Sequence, residues 1–469
     1  MSKHLRTLSP IDDAVVCERP YTTSAQLDKA LDRARQAQTA WLNVPIEQRA
    51  HSLGRAVDAL VAGTDRIARE ITLQMGRPIA HSPGEVRGFE ERARFMLSIA
   101  ADALSDLPAP DPIPGFTRFI RRQPLGTVLV LAPWNYPYLT AVNSLIPALM
   151  AGNAAILKPS SQTPLSAERM ADALRVGGLP EGLFQYVYLE HTATEGLVRD
   201  TRVDFVAFTG SVRGGHQVQQ AAAERFTGVG LELGGKDPAY VRPDAELDYS
   251  LDNLVDGAFY NAGQSCCGIE RIYVQRSVYE QFVEGFVERA RRYLLGDPRD
   301  TATTLGPMVH TRAADWVRRQ IAEALDLGAH ALIDETEFPA SRAGTPYLAP
   351  QVLVDVNHSM SVMREESFGP VIGIMPVDSD EQAVALMNDS RYGLTASIWT
   401  ADAEAALALG ARVATGTCYM NRCDYLDPAL AWTGIGDSGR GCTLSSLGYA
   451  QLTRPKSFHL KTVTQEGQP

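Results

Sequence analysis

The chain has 469 residues, of which 45% are hydrophobic and 21% charged, and its formal net charge is −11 at pH 7. This length is enough for several hydrophobic cores and corresponds to about two to four domains. The acidic balance argues against a general electrostatic surface for nucleic acid, and no run of about 18 apolar residues predicts a membrane span.

The six cysteines form neither a CxxC pair nor a Cys/His group with the spacing of zinc ligands. The first ten residues have no apolar signal core. These features predict free thiols, no metal site and a cytoplasmic protein. The cysteines stand at positions 17, 266, 267, 418, 423 and 442.

The first quarter of the chain has mainly helical periodicity, with Ser24 as the predicted N-cap of its first helix. A proline-rich linker follows, and then a segment with the alternation of a strand that has one solvated face. The predicted elements are helices at 24–41, 46–75 and 84–103, the linker at 107–114 and the strand at 116–122.

From Gly126 onwards, short apolar runs alternate with helical patterns. Strands and helices of this length predict βαβ units and a parallel sheet covered on both faces, hence an α/β fold. Ligands bind such sheets at the carboxyl ends of the strands. The predicted strands are 127–131, 154–157, 184–189 and 205–208; a second α/β region from Val229 adds strands at 271–275, 371–375 and 397–399, and the tail 458–463 has the pattern of an edge strand.

Four segments at or after these strands contain candidate functional residues. The Asn135 amide, between rigid prolines, could donate to an oxyanion, although a turn asparagine is the commoner case. Lys158 suits a ribose hydroxyl or a phosphate, or is simply solvated. The Gly/Ser turn 208–215 precedes a helix whose N-terminus could hold phosphate oxygens, but it lacks GxGxxG. Glu232 lies in an apolar run, where burial would raise its pKa towards that of a general base; an edge-strand surface residue is the alternative.

The stretch Asn261–Gly268 places two adjacent thiols after a Gly-containing turn, near the end of a predicted helix that begins at about Asp248. A cysteine close to a helix terminus and backbone amides can act as a thiolate nucleophile. Taken alone, the Cys266–Cys267 pair favours buried structural cysteines.

Together these segments resemble the NAD(P)-dependent aldehyde dehydrogenase superfamily. The similarity extends over about residues 10 to 463, and the motifs occur in the order of the family. They are Pro133-Trp-Asn-Tyr-Pro137, Lys158-Pro-Ser160, Phe208-Thr-Gly-Ser211, Glu232-Leu-Gly-Gly-Lys236, Asn261-x-Gly-Gln-x-Cys266 and Glu366-Ser-Phe-Gly-Pro370.

The resemblance implies two Rossmann-like parallel-sheet domains and a small β oligomerisation element in a homodimer or homotetramer. The cofactor-binding domain would comprise 1–106 and 125–232, the catalytic domain 233–440, and the oligomerisation element 107–124 and 441–469.

The resemblance also implies the site. Cys266 would attack the aldehyde, Asn135 and the Cys266 amide would hold the oxyanion, and Glu232 would activate water to hydrolyse the thioester to a carboxylic acid. Expected contacts of the cofactor, NADP and/or NAD, are Pro133, Trp134, Lys158, Ser160, Ser161, Phe208, Thr209, Gly210, Ser211, Leu233, Gly234, Glu366 and Phe368. Expected walls of the substrate pocket are Tyr136, Asn143, Tyr260, Cys267, Leu426 and Trp432.

Several positions depart from common members of the family. Ser161 stands where NAD-specific members carry a glutamate, which predicts that NADP is accepted, whereas Glu190 would disfavour a phosphate and leaves the preference open. Ser144 and Gly441 replace a lysine and a glutamate that pass protons away from the base. The hypothesis is therefore a different exit for the Glu232 proton, through water.

Tyr260 and Asn143 stand where succinic semialdehyde enzymes carry two arginines. The expected substrate is therefore an uncharged aromatic or medium-chain aliphatic aldehyde. Arg422 could bind an acid if it points inward, so a semialdehyde dehydrogenase is the alternative. Glu232 argues against CoA-acylating chemistry, and the intact candidate residues argue against a non-catalytic structural member.

Overall fold

The computed structural model describes residues 4–462. The α-helices in this part of the chain are α1 (Ser24–Trp41), α2 (Ile46–Ala62), α3 (Thr64–Met75), α4 (Pro83–Ala103), α5 (Ala141–Ala151), α6 (Leu165–Gly177), α7 (His191–Arg199), α8 (Val212–Ala222), α9 (Leu247–Phe259), α10 (Tyr279–Ala290), α11 (Thr311–Asp326), α12 (Ser361–Arg364), α13 (Asp380–Asn388), α14 (Ala403–Gly410) and α15 (Ser445–Gln451). Short 3₁₀ turns lie at Tyr260–Gly263, Arg276–Val278 and Glu335–Glu337.

The strands of the same residues are β1 (His4–Leu8), β2 (Val15–Pro20), β3 (Leu107–Pro108), β4 (Phe116–Pro124), β5 (Thr127–Leu131), β6 (Ala154–Lys158), β7 (Phe184–Tyr186), β8 (Phe205–Thr209), β9 (Gly228–Glu232), β10 (Asp237–Val241), β11 (Ile269–Gln275), β12 (His330–Ala331), β13 (Gln351–Val354), β14 (Val371–Val377), β15 (Tyr392–Gly393), β16 (Thr395–Trp399), β17 (Thr417–Met420), β18 (Ile435–Gly436), β19 (Gly439–Arg440) and β20 (Thr453–Lys461).

The first large sheet has the strand order β19-β9-β8-β5-β6-β7. Its inner strands are parallel, and only β19 runs antiparallel, against β9. The chain leaves β5 towards β6 and later returns to β8 on the other side of β5. The strand order therefore reverses between β5 and β8, and a ligand crevice is expected at the carboxyl ends of these two strands.

The second large sheet has the order β12-β13-β14-β11-β10-β16-β17 and is parallel except at β12. Successive side chains of a strand point to opposite faces, and β10 accordingly sends Tyr240 into one core and Ala239 and Val241 into the other. Glu232 ends β9 and Asp237 begins β10, so the segment between them joins the two sheets. The predicted α/β fold with parallel sheets is confirmed.

A third, antiparallel sheet of order β20-β4-β3 lies apart from the two large sheets. It joins the segments near 107–124 and 453–461 that were predicted as the oligomerisation element, and Phe119 stacks on Phe458 across it at 4.7 Å between ring centroids. The end of the predicted tail, 463–469, lies outside the described residues. The domain boundaries stay a prediction; Gly439 and Arg440, placed in the second domain from sequence, pair with β9 of the first sheet.

Two details of the helices differ from the prediction. The N-cap of α1 is Thr23 rather than Ser24, because the Thr23 hydroxyl accepts from the Gln26 amide and the Gln26 side chain accepts from the Thr23 amide, a capping box. The helix predicted over 46–75 is two helices separated at Gly63. Glycine weakens a helix interior and here marks the break.

Candidate active site

The candidate nucleophile lies on a loop whose backbone is held in an uncommon conformation. After α9, Asn261 and Ala262 have φ values of 53° and 56°, in the left-handed region that non-glycine residues rarely occupy. Gly263 follows with φ of 68°, and a Cβ there would lie 2.3 Å from the Gly369 carbonyl oxygen. The loop that carries Cys266 therefore packs directly against the Glu366–Pro370 motif, as only a glycine permits.

The same loop touches the segment between the two large sheets. A Cβ on Gly235 would lie 2.6 Å from the Cys266 carbonyl oxygen. Inside the loop, the Gln264 amide donates to the Asn261 carbonyl at 3.0 Å, and the Gln264 side-chain oxygen accepts from the Val309 N–H at 2.8 Å. Gln264 thus fixes the turn that precedes the cysteine.

Asn135, the candidate oxyanion donor, lies next to this loop. Its Nδ2 donates to the Gln264 carbonyl at 3.1 Å, and the residue is 5% exposed. This bond uses one of the two amide hydrogens, so one donor remains for a substrate oxygen. The structure thereby brings the motif after β5 to the motif that contains Cys266.

A buried arginine that was not singled out from the sequence links these two motifs. Arg77, 1% exposed, donates from Nε to Asn261 Oδ1 at 3.1 Å and from Nη2 to the Asn135 carbonyl oxygen. Its charge is balanced by Glu85, whose Oε2 lies 2.7 Å from Nη1. Glu85 Oε1 in turn accepts from the N–H groups of Tyr138 and Leu139 at 2.9 and 3.0 Å. No local pattern marks either residue, because their partners are distant in sequence.

Glu232, the candidate base, ends β9 and is held by hydroxyl groups. Thr443 Oγ1 donates to Oε1 at 2.5 Å, Thr209 Oγ1 donates to Oε2 at 2.9 Å, and Asn143 Nδ2 lies 3.5 Å from Oε1. Burial raises the pKa of Glu232 above its usual value, and these three hydrogen bonds oppose that shift, as does the charge of Arg92. Thr443 was not predicted; it lies more than 200 residues from Glu232 along the chain.

The two adjacent cysteines have different surroundings. Cys266 is partly exposed, whereas Cys267 is 3% exposed and donates from Sγ to Asp424 Oδ1 at 3.1 Å. The neighbouring Cys266 thiol and burial raise the pKa of the Cys267 thiol well above its usual value. Asp424 also accepts from Ser265 Oγ at 2.7 Å. Cys267 is therefore tied into the wall, and Cys266 is the accessible thiol.

A cavity of about 400 Å³ extends in front of Cys266. The six side chains that were predicted as substrate-pocket walls all lie in its lining: Tyr136, Asn143, Tyr260, Cys267, Leu426 and Trp432. One face of α4 forms another wall, where Gly88 allows Leu139 to pack closely: a Cβ there would lie 2.5 Å from Leu139 Cδ1.

Charged side chains line the cavity beside the expected aromatic and apolar ones. The sequence analysis missed the charged side chains in the wall, which include Arg77, Arg87 and Arg92 as well as Glu85 and Asp424. Arg422, considered there as an acid-binding residue, is not in the lining: it is exposed and its guanidinium carbon lies 3.5 Å from the centre of the Tyr425 ring.

A second cleft of about 180 Å³ lies at the carboxyl ends of β5, β6 and β8, where the strand order predicts a ligand. Lys158, Phe208 and Ser211 line it. Ser211 caps α8 by accepting from the Gly214 N–H at 3.2 Å. Burial lowers the pKa of the Lys158 ammonium, which has no hydrogen-bond or ion-pair partner among the described residues. A partly buried cation without a protein partner, beside a helix N-terminus, fits a nucleotide with ribose hydroxyls and phosphates.

Glu366 lies between this cleft and Cys266. Its Oε1 accepts from the Gly235 N–H at 3.2 Å, and a Cβ on Gly234 would lie 2.1 Å from the same oxygen. Burial raises the pKa of Glu366 to about 8. The ring of Phe368 meets that of Trp134 edge to face at 5.7 Å between centroids. Predicted cofactor contacts from the two large sheets therefore meet here.

The remaining predicted cofactor contacts lie along the same edge of the first sheet. Pro133 follows β5; the Gly210 N–H donates to the Glu232 carbonyl at 3.0 Å, and the Leu233 N–H to the Ser438 carbonyl at 3.0 Å. Ser160 and Ser161 follow β6 next to Lys158, and Ser161 is exposed. Thr209, also expected as a cofactor contact, donates from its hydroxyl to Glu232 and lines the cavity in front of Cys266.

Among residues 4–462, no group of three or more His, Cys, Asp or Glu side chains could hold a metal ion. No helix in that range is long and apolar enough to cross a membrane.

Comparison with known proteins gives a consistent result. The model of the aldehyde dehydrogenase family matches residues 1–458. A succinate-semialdehyde dehydrogenase [NADP(+)] of Mycobacterium avium is 33% identical over 455 residues, which cover 97% of this chain and 96% of that protein.

Two solved structures are also similar over nearly the whole chain. An NAD-dependent aldehyde dehydrogenase from Sinorhizobium meliloti has a TM-score of 0.94 and 31% identity, covering 99% of this chain and 93% of that one. A succinic semialdehyde dehydrogenase from Streptococcus pyogenes in complex with NADP+ has a TM-score of 0.92 and 28% identity, covering 97% and 99%. The resemblance inferred from the motifs is confirmed, and the chain belongs to the aldehyde dehydrogenase family.

Proposed function

We propose that this protein oxidises an aldehyde to a carboxylic acid with Cys266 as nucleophile, Asn135 as oxyanion donor and Glu232 as base. The observation that carries this proposal is that Cys266 and Glu232 line one cavity while the Asn135 amide binds the turn before Cys266. The accessible thiol attacks the carbonyl carbon, and the remaining Asn135 N–H stabilises the negative oxygen. Glu232 takes a proton from the water that hydrolyses the thioester.

The cofactor in this proposal is a nicotinamide dinucleotide, which accepts the hydride when bound. Lys158 and Glu366 would hold ribose hydroxyls, and the N-terminus of α8 with Gly210 and Ser211 would hold the pyrophosphate. The exposed hydroxyl of Ser161 adds no charge near Lys158, which supports use of NADP as well as NAD. The NADP named for two of the relatives and the NAD named for the third are consistent with either.

The substrate we propose is an uncharged aromatic or medium-chain aliphatic aldehyde. Tyr136, Tyr260, Leu426 and Trp432 offer ring and aliphatic surface for an apolar body, and the volume of about 400 Å³ accommodates one. The guanidinium of Arg77 in this wall is neutralised by Glu85 and so offers little to an anion.

One observation favours a second candidate, a carboxylate-bearing semialdehyde. Arg92 is 6% exposed, lines the cavity and has no carboxylate within ion-pair distance among the described residues. Among residues 4–462, only its Nη1 finds acceptors, the Leu139 carbonyl at 2.6 Å and Asn143 Oδ1 at 3.2 Å. Its guanidinium thus lies beside position 143, where the sequence lacks the arginine of succinic semialdehyde enzymes.

The test is formation of reduced nicotinamide with NAD and with NADP across benzaldehyde, hexanal and succinic semialdehyde. We expect activity with the first two and its loss in Cys266→Ala, while Cys267→Ala retains it. A Cys266→Ala protein that still oxidises aldehydes would contradict the proposal. Activity on succinic semialdehyde far above that on the uncharged aldehydes would select the second candidate.

The assembly in this proposal is a homodimer or homotetramer formed through the sheet of β3, β4 and β20. The exposed Ile120 and Leu460 and the stacked Phe119 and Phe458 support this surface. Sedimentation velocity tests it: Phe458→Glu should shift the protein towards the monomer, and an unchanged sedimentation coefficient would contradict the interface.

A further inference from the structure

Glu232 separates two cavities. On one side is the substrate cavity in front of Cys266, and on the other is a side cavity lined by Ser144, Gly441 and Thr443, among others. Glu232, Thr209 and Trp432 line both. The side cavity has a volume of about 10 Å³, which is about the space that one water molecule needs.

The side cavity contains a hydroxyl group with no protein partner. Ser144 is 5% exposed, and its Oγ makes no hydrogen bond with the described residues. The oxygen itself is not completely buried. A buried hydroxyl in this state calls for a water partner. Ser144 and Gly441 are also the two positions at which the sequence lacks the lysine and glutamate of other members. The short Ser144 side chain leaves this space open, whereas a Cβ on Gly441 would already lie 2.1 Å from Gln451 Oε1.

Thr443 connects the base to the side cavity. Its Oγ1 lies 2.5 Å from Glu232 Oε1, and its backbone is fixed by reciprocal hydrogen bonds with Trp432 at 2.8 and 2.9 Å. A hydroxyl can accept one proton while it donates its own. We propose that Thr443 passes the Glu232 proton to a water held by Ser144 in the side cavity, and that this replaces the missing lysine–glutamate pair.

The step follows hydrolysis of the thioester and rests on the proposed role of Glu232. Water attacks the acyl carbon, Glu232 takes one of its protons, the C–S bond breaks with its electron pair on the Cys266 sulfur, and the acid leaves. The protonated Glu232 then gives its proton to Thr443 Oγ1 as the Thr443 hydroxyl proton moves to the water. The carboxylate is restored, and one proton has crossed to the side cavity.

The test separates acylation from hydrolysis in Thr443→Val, Thr443→Ser and Ser144→Ala. First-turnover formation of reduced nicotinamide, followed by stopped flow, should stay at the wild-type rate in all three, because Cys266 and Asn135 are untouched. Steady-state turnover should fall at least about tenfold in Thr443→Val. This loss should be smaller than the 10²–10⁴-fold effect that is typical of a general base. Thr443→Ser should restore it, and Ser144→Ala should lower it by a smaller factor.

Three results would overturn the relay: a wild-type steady state in Thr443→Val, a first turnover that falls equally, or no recovery in Thr443→Ser. Ser144→Ala keeps a small side chain at a buried position, so it tests the relay even if Thr443→Val folds poorly. An unchanged steady-state turnover in Ser144→Ala also contradicts the relay. Glu232→Gln distinguishes the two levels. If it leaves turnover unchanged, the proposed base is wrong; if it is slow while Thr443→Val is not, only the relay fails.

Discussion

The cleft proposed to hold the nucleotide and the cavity proposed to hold the substrate are built from different parts of the chain. The cleft at the carboxyl edge of the first sheet is formed by strand ends, a helix N-terminus and a glycine, with Lys158 as a partly buried cation. The cavity in front of Cys266 is walled by charged and aromatic side chains from α4, the segment before α5 and the loop around Asp424. Backbone groups are present whatever the side chain, whereas a buried network fails when one member is lost. Substitutions should therefore reduce stability or activity more in the cavity than in the cleft.

The largest expected effect is that of Glu85→Gln in the cavity wall. The variant leaves Arg77 buried without its carboxylate and weakens the acceptor for the Tyr138 and Leu139 amides. Removing one partner of a buried ion pair costs about 3–5 kcal/mol. Urea unfolding at pH 7 should show this loss in the free energy of unfolding.

Glu91→Gln is the matched control for this prediction. Glu91 lies on the same helix and lines the same cavity, but it is exposed and accepts from the Tyr425 hydroxyl at 2.8 Å. We expect a change within about 0.5 kcal/mol. Equal losses of unfolding free energy in the two variants would contradict the prediction that burial of the Arg77–Glu85 pair makes Glu85→Gln the more destabilising change.

Glu366, beside the segment that joins the two large sheets, has a comparable electrostatic effect, because burial raises its pKa to about 8. An unfolded glutamate has a pKa of about 4.3. Because the folded state binds the proton more tightly, this contribution to stability is fully present below pH ~4.3 and is lost as the pH rises through about 8. The free energy of unfolding of the wild type should therefore fall across this window by up to a few kcal/mol relative to Glu366→Gln.

Urea unfolding of both proteins at several pH values, without cofactor, checks this prediction. A difference between wild type and Glu366→Gln that does not vary with pH would show that the carboxyl is already ionised in the folded protein.

The residues that form the cleft could be predicted from the sequence because each belongs to a short segment with a recognisable local pattern. The runs 127–131 and 154–157 are apolar except for Thr127, and each becomes a buried parallel strand. Lys158, Gly210 and Ser211 follow such strands directly, so their meeting at one sheet edge follows from the βαβ topology. The six motifs in order then identified Cys266, Glu232 and Asn135 as candidates.

The charged wall of the cavity could not be predicted in the same way. Arg92 lies within a helical pattern in which an arginine is ordinarily on the solvated face, and only the approach of α5 makes it buried. Thr443 and Asp424 belong to loops whose course is set by pairing with distant residues, such as the bridge between Trp432 and Thr443. The proton route and the charge of the pocket are therefore properties of the tertiary structure.

Arg92→Gln tests whether that buried charge selects substrates. If the guanidinium binds the substrate carboxylate, the variant should raise KM for succinic semialdehyde by about 10–100-fold. This factor corresponds to the loss of a hydrogen bond to a charged group, which contributes about 1.5–3 kcal/mol. KM for hexanal should stay within about twofold, since no charged group of that substrate is involved. Steady-state kinetics at saturating cofactor gives both values.

Arg87→Gln controls for charge alone, because Arg87 lines the same cavity but is exposed. It should change both KM values little, as exposed charges are screened by water. If Arg92→Gln lowers kcat for both aldehydes in parallel, Arg92 acts instead through Asn143 on Glu232.

The smallest expected effect lies in the cleft, at Ser161. Ser161→Glu places a carboxylate near Lys158 and should weaken NADP about tenfold, about 1.4 kcal/mol, by repulsion of the 2′-phosphate, while NAD binds as well as before. Equilibrium titration of tryptophan fluorescence measures both affinities without turnover. Ser161→Gln has the same size and no charge, so it should leave the ratio of the two affinities unchanged. An equal loss of affinity for NAD and for NADP in Ser161→Glu would mean that the longer side chain blocks the cleft. A side chain would then control binding at this edge of the cleft, and the contrast with the cavity, which is built from side chains, would not hold there.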